Sequence, residues 1–382
     1  MDLLEYQGKR LFAEAGVPVP EGRVADTAEE AAQAAEQLGG RVVVKAQVQV
    51  GGRGKAGGIK LAEGPAEARD HAEAILGMDI KGHIVHRVWV ERASNISAEY
   101  YCSFTLDRGA KKHLGILSAQ GGIDIEQVAA TDPGAVVKMH IDPVVGLADW
   151  QATEMVFRAG LDENAFRGAA QMLKKLYEAF VSFDCDLVEV NPLILTEDGG
   201  LIALDSKISL DSNAFYRHPE FPDLAKDHEI DPIEKDAKDR GLSFIKLDGD
   251  IGIMANGAGL AMSTLDVVSL VGGSAANFLD VGGGASADTV TNALEVLTKD
   301  ENVKTVLINI FGGIVRCDLV AEGIIEALGR LDLPWQIVVR LDGTNAEHAR
   351  EILAGAETDI LVPAATMREA AERAVAMAAG AS

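Results

Sequence analysis

Cysteine is scarce in this chain, and its placement matters as much as its number. Only Cys102, Cys185 and Cys317 occur in 382 residues, an odd count at spacings that match no metal-ligand motif. This excludes a disulfide framework and points to a reducing compartment. Positive charge is also short: 35 Lys and Arg stand against 59 Asp and Glu, a formal net charge of -24. General electrostatic attraction to nucleic acid or to an anionic membrane is therefore excluded as a driving force. No run of about eighteen apolar residues occurs, and the opening Met-Asp-Leu-Leu-Glu-Tyr-Gln has an acid at position 2 and no apolar signal core. The expectation is a cytoplasmic protein. A chain of this length exceeds one hydrophobic core, so two or three domains are expected.

Glycine, by contrast, is plentiful, and its densest cluster is the most informative stretch. Gly51-Gly52-Arg53-Gly54-Lys55-Ala56-Gly57-Gly58 packs five glycines and two cations behind the apolar, β-branched run 42–50. Without a Cβ, backbone N–H groups converge on an anion, and Arg53 and Lys55 supply locally the charge that the whole chain lacks. No Gly-Lys-Ser/Thr triplet closes the loop, and residues 59–61 read as a second strand. The pattern predicts a glycine-rich hairpin flap rather than a Walker strand-loop-helix. A merely flexible hairpin would carry the same glycines.

The organisation around this loop is mixed. Leu3, Leu4, Leu11, Phe12 and Ala15 fall at helical spacing before Gly16 and Pro18, predicting a short helix with a glycine stop. Strand-like runs follow at 42–50, 84–91, 98–106 and 113–118, and a strong helical stripe runs from Asp162 to Phe183. Between Asn213 and Arg240, Pro219, Pro222 and Pro232 alternate with acidic residues, predicting a linker in which the lone His218 and His228 are surface side chains. Beyond Ser243, strand patterns at 252–255, 276–280, 304–310, 336–340 and 359–361 alternate with helical ones, predicting a doubly wound parallel sheet. Its βα turns carry Asn256-Gly257-Ala258-Gly259, Gly282-Gly283-Gly284 and Gly312-Gly313, along the carboxyl edge where such folds bind ligands.

Two further constellations carry chemistry. Residues 187–195 alternate around Glu189 and Asn191, turn at Glu197-Asp198-Gly199 and return to Asp205, a β-hairpin pattern. A three-residue loop with Gly199 left-handed sets Asn191 opposite Asp205, with Glu189, Asp205 and Lys207 on one face. An amide oxygen and a carboxylate on neighbouring strands suit Mg²⁺, which takes its other ligands from phosphates and water. Glu189 is left for a second task, such as orienting a nucleophile. A two-residue loop would slip the register and break this face. A solvated polar face is the bland alternative, against which stands the cost of carboxylates in an otherwise apolar hairpin. The last constellation is Ile308-Asn309-Ile310-Phe311-Gly312-Gly313-Ile314-Val315-Arg316-Cys317-Asp318, a buried strand that empties into a glycine pair and a helix start, a geometry that holds anions. Arg316 adds charge, and Cys317 reads as a packed thiol. A tight βα turn alone would need the same glycines.

In order and over nearly the whole chain, the strings 51–58, Glu189-Val190-Asn191-Pro192, 256–262, 277–284 and 309–318 resemble the β subunits of the succinyl-CoA synthetase family. The resemblance implies an ATP-grasp nucleotide-binding domain (1–232), a linker (233–242) and a flavodoxin-like, doubly wound CoA-ligase domain (243–382). It implies a reversible reaction of succinate, CoA and ATP or GTP, through a phosphohistidine and succinyl phosphate, to succinyl-CoA, the nucleoside diphosphate and phosphate. By position, Lys45, Gly52, Arg53 and Gly54 would hold the nucleotide phosphates, and Glu91, Ser94 and Glu99 would line base and ribose. Asn191 and Asp205 would ligate Mg²⁺, and the catalytic Glu189 would steady the phosphohistidine loop. Asn256, Gly313, Ile314 and Val315 would receive the succinate carboxylate. None of the eight histidines stands in a glycine-rich loop of the family's phosphorylated type, so that histidine and most of the CoA site fall to a partner α subunit. Gln49-Val50 stand where adenine- and guanine-selective members differ, Ser206 replaces a glycine common in the family, and residues 77–84 are a shortened loop. A malate- or citrate-specific ligase subunit, an acyl-phosphate ligase without a histidine carrier, and a non-enzymatic nucleotide-binding scaffold remain open at this level.

Overall fold

Gly16, with φ of 72°, and Pro18 end the first helix, α1 (Glu5–Glu14), where the glycine stop was expected. The computed structural model describes residues 1–227, 231–282, 286–356 and 358–380. It divides into two units, Met1–Glu229 and Ile230–Ser382.

In the first unit, β1 (Gly22–Ala25) leads to α2 (Ala28–Leu38), which starts where the Thr27 hydroxyl accepts the Glu30 N–H at 3.2 Å. Then come β2 (Val42–Ala46), β3 (Ile59–Ala62), α3 (Pro65–Ile75), a short ribbon of β4 (Asp79–Ile80) and β5 (His83–Ile84), and β6 (Val88–Arg92). The first sheet has the order β1-β6-β2-β3. Small side chains, Ala31 and Ala35 of α2 with Ala68 and Ala72 of α3, let both helices lie close over Val44 and Val90. The second sheet is built from β7 (Ile96–Asp107), β8 (Lys112–Ser118), β9 (Val137–Ile141), β10 (Cys185–Thr196), β11 (Leu201–Ala203) and β12 (Lys207–Leu210). Its order is β11-β10-β7-β8-β9, with β12 also on β10. Helices α4 (Ile125–Thr131), α5 (Asp149–Ala159) and α6 (Phe166–Ser182) complete the unit. Leu173 and Leu176 of α6 join Phe12, Phe104 and Val188 in its larger core. The helical stripe expected from Asp162 begins four residues later, because Asp162 to Ala165 close a turn, Ala165 N–H to Asp162 O at 2.8 Å.

The second unit opens with α7 (Pro232–Asp239), all but the first residue of which falls in the stretch 233–242 expected to be a linker. Asp231 caps it by accepting the Ile233 and Glu234 N–H groups, and Pro232 occupies the first turn, where a missing N–H costs nothing. The Pro and Asp read as linker punctuation are thus a helix start. His228 lies outside the described residues, as do Gly283 and Gly284. After β13 (Ser243–Lys246) the expected alternation runs through β14 (Ile251–Ala255), α8 (Ala258–Leu270), β15 (Asn277–Asp280), α9 (Ala287–Leu297), β16 (Thr305–Gly312), α10 (Cys317–Arg330), β17 (Gln336–Gly343), α11 (Ala346–Ala354), β18 (Leu361–Pro363) and α12 (Met367–Ala378). The sheet order is β13-β15-β14-β16-β17-β18, parallel except for β13, an antiparallel edge strand that the pattern did not reveal. Successive strand residues serve opposite faces. Ile253, Leu307 and Val338 pack with α12, whereas Met254, Ile308 and Val339 pack with α9 and α10. Among the described residues, no helix is long and apolar enough to cross a membrane.

Candidate nucleotide and carboxylate sites

Alternation along β2 and β6 turns Lys45 and Glu91 to one side of the first sheet, and one turn of α1 brings Glu5 and Lys9 to meet them. The result is a buried ion cluster. Lys45 Nζ lies 3.0 Å from Glu5 Oε1, 2.7 Å from Glu91 Oε1 and 2.9 Å from the Leu204 carbonyl oxygen. Lys9 Nζ lies 2.7 Å from Glu5 Oε1 and also pairs with Glu91 Oε2, which accepts the Trp89 indole N–H at 2.7 Å. Arg53 turns inward from the glycine-rich loop, donating to Glu5 Oε2, to Ala46 O at 3.1 Å and to Asp205 Oδ1 at 2.9 Å. Three cations thus face three carboxylates, and only Asp205 keeps appreciable exposure, 32% of its side chain. Burial opposes charge on Glu5, yet Arg53, Lys45 and Lys9 outweigh it and hold the carboxyl well below the usual range. Burial likewise opposes charge on Lys45 and Arg53, and the surrounding carboxylates raise both above their ordinary values. Glu91, expected along base and ribose, is fully buried in this cluster.

The loop itself joins antiparallel β2 and β3, as a hairpin flap does. Gly52 and Gly57 have φ of 85° and 82°, values open to glycine, and Gly58 has no room for a Cβ, which would meet Ile80 Cδ1 at 2.9 Å. Gly52, Gly54 and Lys55 are exposed. Ser94 lies in the β6–β7 connection and Glu99 on β7, both outside the ion cluster. The Glu99 carboxylate abuts Gly122 so closely that a Cβ there would fall 2.3 Å from Oε2.

On the second sheet, β10 turns through a three-residue loop in which Gly199 has φ of 85° and Thr196 N–H reaches Gly200 O at 2.8 Å. Leu193 pairs with Ala203 and Glu189 with Lys207, a constant offset that sets Asn191 against Asp205. Their side chains are occupied separately. Asn191 Oδ1 accepts the Gly122 N–H at 2.7 Å and its Nδ2 donates to Ile123 O at 2.9 Å, whereas Asp205 holds Arg53. One carboxylate and one amide oxygen at facing positions form a donor set that fits Mg²⁺, an ion content with few protein ligands. Among the described residues, no group of three or more His, Cys, Asp and Glu stands where it would hold a metal. Glu189, half-buried, accepts the Tyr101 hydroxyl at 2.9 Å. Burial, with Glu189 beside it, pushes the Tyr101 hydroxyl well above its usual range.

In the second unit, the strand order reverses between β14 and β16, and the turns after those strands are tied together. Asn256 Nδ2 donates to Phe311 O at 3.0 Å, and Phe311 N–H returns to Asn256 Oδ1 at 2.9 Å. A groove of about 500 Å³ opens there, lined by Asn256, Gly257, Phe311, Gly313, Ile314 and Val315. All four residues expected at a carboxylate site therefore share one groove. Asp280 shapes its edge, accepting the Gly257 and Gly282 N–H groups at 2.6 and 2.7 Å. Arg316 does not supply free charge to the α10 start. Its guanidinium is spread over Asp318, which those hydrogen bonds, reinforced by Asn345, hold down to about 2. Cys317 is a packed thiol, donating to Asp342 O at 3.3 Å, and burial pushes it up.

Glu5, Lys9, Tyr101 and Asp280 escaped sequence reasoning. For Glu5 and Lys9 the only signal was an i,i+4 acid–base pair on a helix, which usually marks a solvated face.

The chain matches an ATP-grasp domain family over residues 2–195 and a CoA-ligase family over residues 254–377. It is 52% identical to the GDP-forming succinate–CoA ligase β subunit of Thermus thermophilus over 382 residues, covering 100% of both chains. It is also 52% identical to the ADP-forming β subunit of Chloroflexus aggregans, covering 100% of this chain and 99% of the relative. The ADP-forming subunit of Rubrobacter xylanophilus is 48% identical, over 99% of both chains. Among solved structures, an ATP citrate lyase of Methanothrix soehngenii with citrate and coenzyme A aligns with a TM-score of 0.73 and 18% identity over 99% of each chain, a likeness of fold.

Proposed function

The chain belongs to the succinate–CoA ligase β-subunit family, and on that footing we propose that it is the nucleotide- and carboxylate-binding subunit of an acid–thiol ligase. The reaction joins succinate to CoA as a nucleoside triphosphate gives up its terminal phosphate. One feature of the chain's own geometry carries the reading. Lys45 and Arg53, cations of the phosphate type beside a glycine-rich flap, meet on Glu5, from which Arg53 reaches on to Asp205, a carboxylate of the metal-ligand type, and Lys45 to the carbonyl of the preceding Leu204.

Phosphoryl transfer asks a protein mainly for alignment and charge neutralisation. Gly52 and Gly54 offer exposed backbone to the phosphates, with Lys45 and Arg53 behind them, and Ser94 and Glu99 stand toward ribose and base. Glu91 acts by holding Lys45 rather than by touching nucleotide. Asn191 and Asp205 would hold Mg²⁺, which when bound supplies charge to the β and γ phosphates. The terminal phosphoryl passes to a histidine of the partner α subunit, with Glu189 orienting that imidazole. From the histidine it passes to a succinate carboxylate oxygen, giving succinyl phosphate. The CoA sulfur then attacks the acyl carbon, phosphate leaves, and the thiol proton goes to it. Asn256 retains one N–H after its bond to Phe311, since an amide nitrogen carries two, and can direct it at the succinate carboxylate.

The deciding experiment is assay of the chain co-purified with its partner, using succinate, malate and citrate, each with ATP and GTP. Succinate should give the highest kcat/KM, and γ-labelled nucleotide should leave acid-labile label on the partner. Faster turnover of malate or citrate would reject the substrate assignment. Turnover without label would reject the histidine carrier, and nucleotide binding without turnover would leave a scaffold.

A further inference from the structure

The ion cluster contains one carboxylate to which the reaction gives no task, and it is the most connected of all. Glu5 sits at the start of α1 with its side chain 1% exposed, yet it reaches both cations assigned to the nucleotide phosphates. Its Oε1 lies 3.0 Å from Lys45 Nζ, and its Oε2 accepts from Arg53 NH1. The other partner of Arg53, Asp205, uses the second guanidinium nitrogen and is the member of the cluster open to solvent. The two halves of Arg53 are thus held differently: NH1 inside on Glu5 and Ala46 O, NH2 outside on Asp205.

We propose that Glu5 is a positioning residue for nucleotide binding, the fixed anchor that aims Arg53 and Lys45 at the phosphates while Asp205 is the partner free to exchange. The assignment rests on the nucleotide reading above. An arginine brings two parallel donors in a rigid fork, so fixing one nitrogen fixes the direction of the other. A buried lysine with carboxylates on two sides likewise keeps a single rotamer. Without Glu5, both cations keep their charge but lose their aim, and one buried positive charge is left uncompensated.

The test is calorimetric titration of the intact two-subunit complex with ATP and GTP, alongside steady-state kinetics. Glu5→Gln, which keeps the shape and removes the charge, should raise the nucleotide Kd and KM by roughly tenfold, the scale of one lost charge-assisted hydrogen bond. KM for succinate and for CoA should stay near wild type, because those ligands meet other residues. Glu5→Asp, charged but one methylene short, should recover part of the loss. It also serves as the decisive variant if Glu5→Gln fails to fold. A nucleotide Kd near wild type in either folded variant overturns the proposal, and so does an equal rise in KM for all three substrates. A wild-type complex that binds no nucleotide would instead remove the reading on which the proposal rests.

Discussion

Ser206 stands beside the metal-type Asp205 because residue 8 has no side chain. A Cβ on Gly8 would fall 2.1 Å from Ser206 Oγ and 3.2 Å from its Cβ. In a free helix Gly→Ala gains about 1 kcal/mol, but overpacking costs about 1–3 kcal/mol, so the contact outweighs the propensity. Gly8→Ala should lower stability, Ser206→Gly should restore it, and a double-mutant cycle on denaturant midpoints should show coupling of about 1–3 kcal/mol. Additive effects would mean the two residues do not crowd each other. Tyr101 matters for a different reason. Its hydroxyl donates to Glu189, the residue assigned to the phosphohistidine rather than to nucleotide. Tyr101→Phe should cut the rate of partner phosphorylation by about tenfold, the worth of one hydrogen bond to a charged group, and leave nucleotide Kd unchanged. An unaltered rate in rapid-quench measurements would remove Tyr101 from the site.

At the scale of elements, the β10–β11 hairpin is where the sequence was most legible. The turn Glu197-Asp198-Gly199 names a three-residue loop, Gly199 takes the left-handed conformation that loop demands, and the register follows with Asn191 against Asp205. A Cβ at Gly199 meets nothing within 4 Å, so Gly199→Ala costs only the backbone term, about 1–2 kcal/mol. The urea midpoint should fall with an unchanged m value, and activity should survive. Loss of activity at full stability would mean that the turn had changed type and carried Asn191 and Asp205 to opposite faces. The helix α7 and strand β13 were illegible for a shared reason. Each is short: Asp231 and Pro232 at the start of α7 serve equally as loop punctuation or as a cap, and the four residues of β13 are too few to show a period, so both were decided only when Ile233, Ala237 and Phe244 found a core.

Over the whole molecule, charge is divided unevenly. A chain of net charge -24 holds its phosphate-type cations inward, compensated one for one. Carboxylates held by cations make stability sensitive to acid in both units. Glu5 is held well below its usual range in one, and Asp318 at about 2 in the other. Each depressed carboxylate contributes fully above its unfolded value, near 4, and loses its contribution as pH falls toward its folded value. Thermal midpoints should therefore hold from pH 7 to about 5 and fall below about 4, with Asp318→Asn flattening that fall for the unit Ile230–Ser382. A wild-type midpoint that stays level down to about pH 3 would contradict it.

What the sequence determined by itself was local and periodic. Glycine positions fixed the flap and the turns, two- and 3.6-residue periods fixed most elements, and a turn length fixed one register, because each depends on residues adjacent in the chain. The inward turn of Arg53, the burial of Glu91, and the meeting of Glu5, Lys9 and Lys45 were decided by tertiary structure alone. A helix that reads as amphipathic declares one buried face, and nothing in its own residues tells that a sheet and a loop from elsewhere in the chain will bury the other. The glycine-rich loop was visible from the start. Which carboxylates would hold its arginine was not, because ion pairs over separations of 48 and 152 residues leave no trace in local pattern.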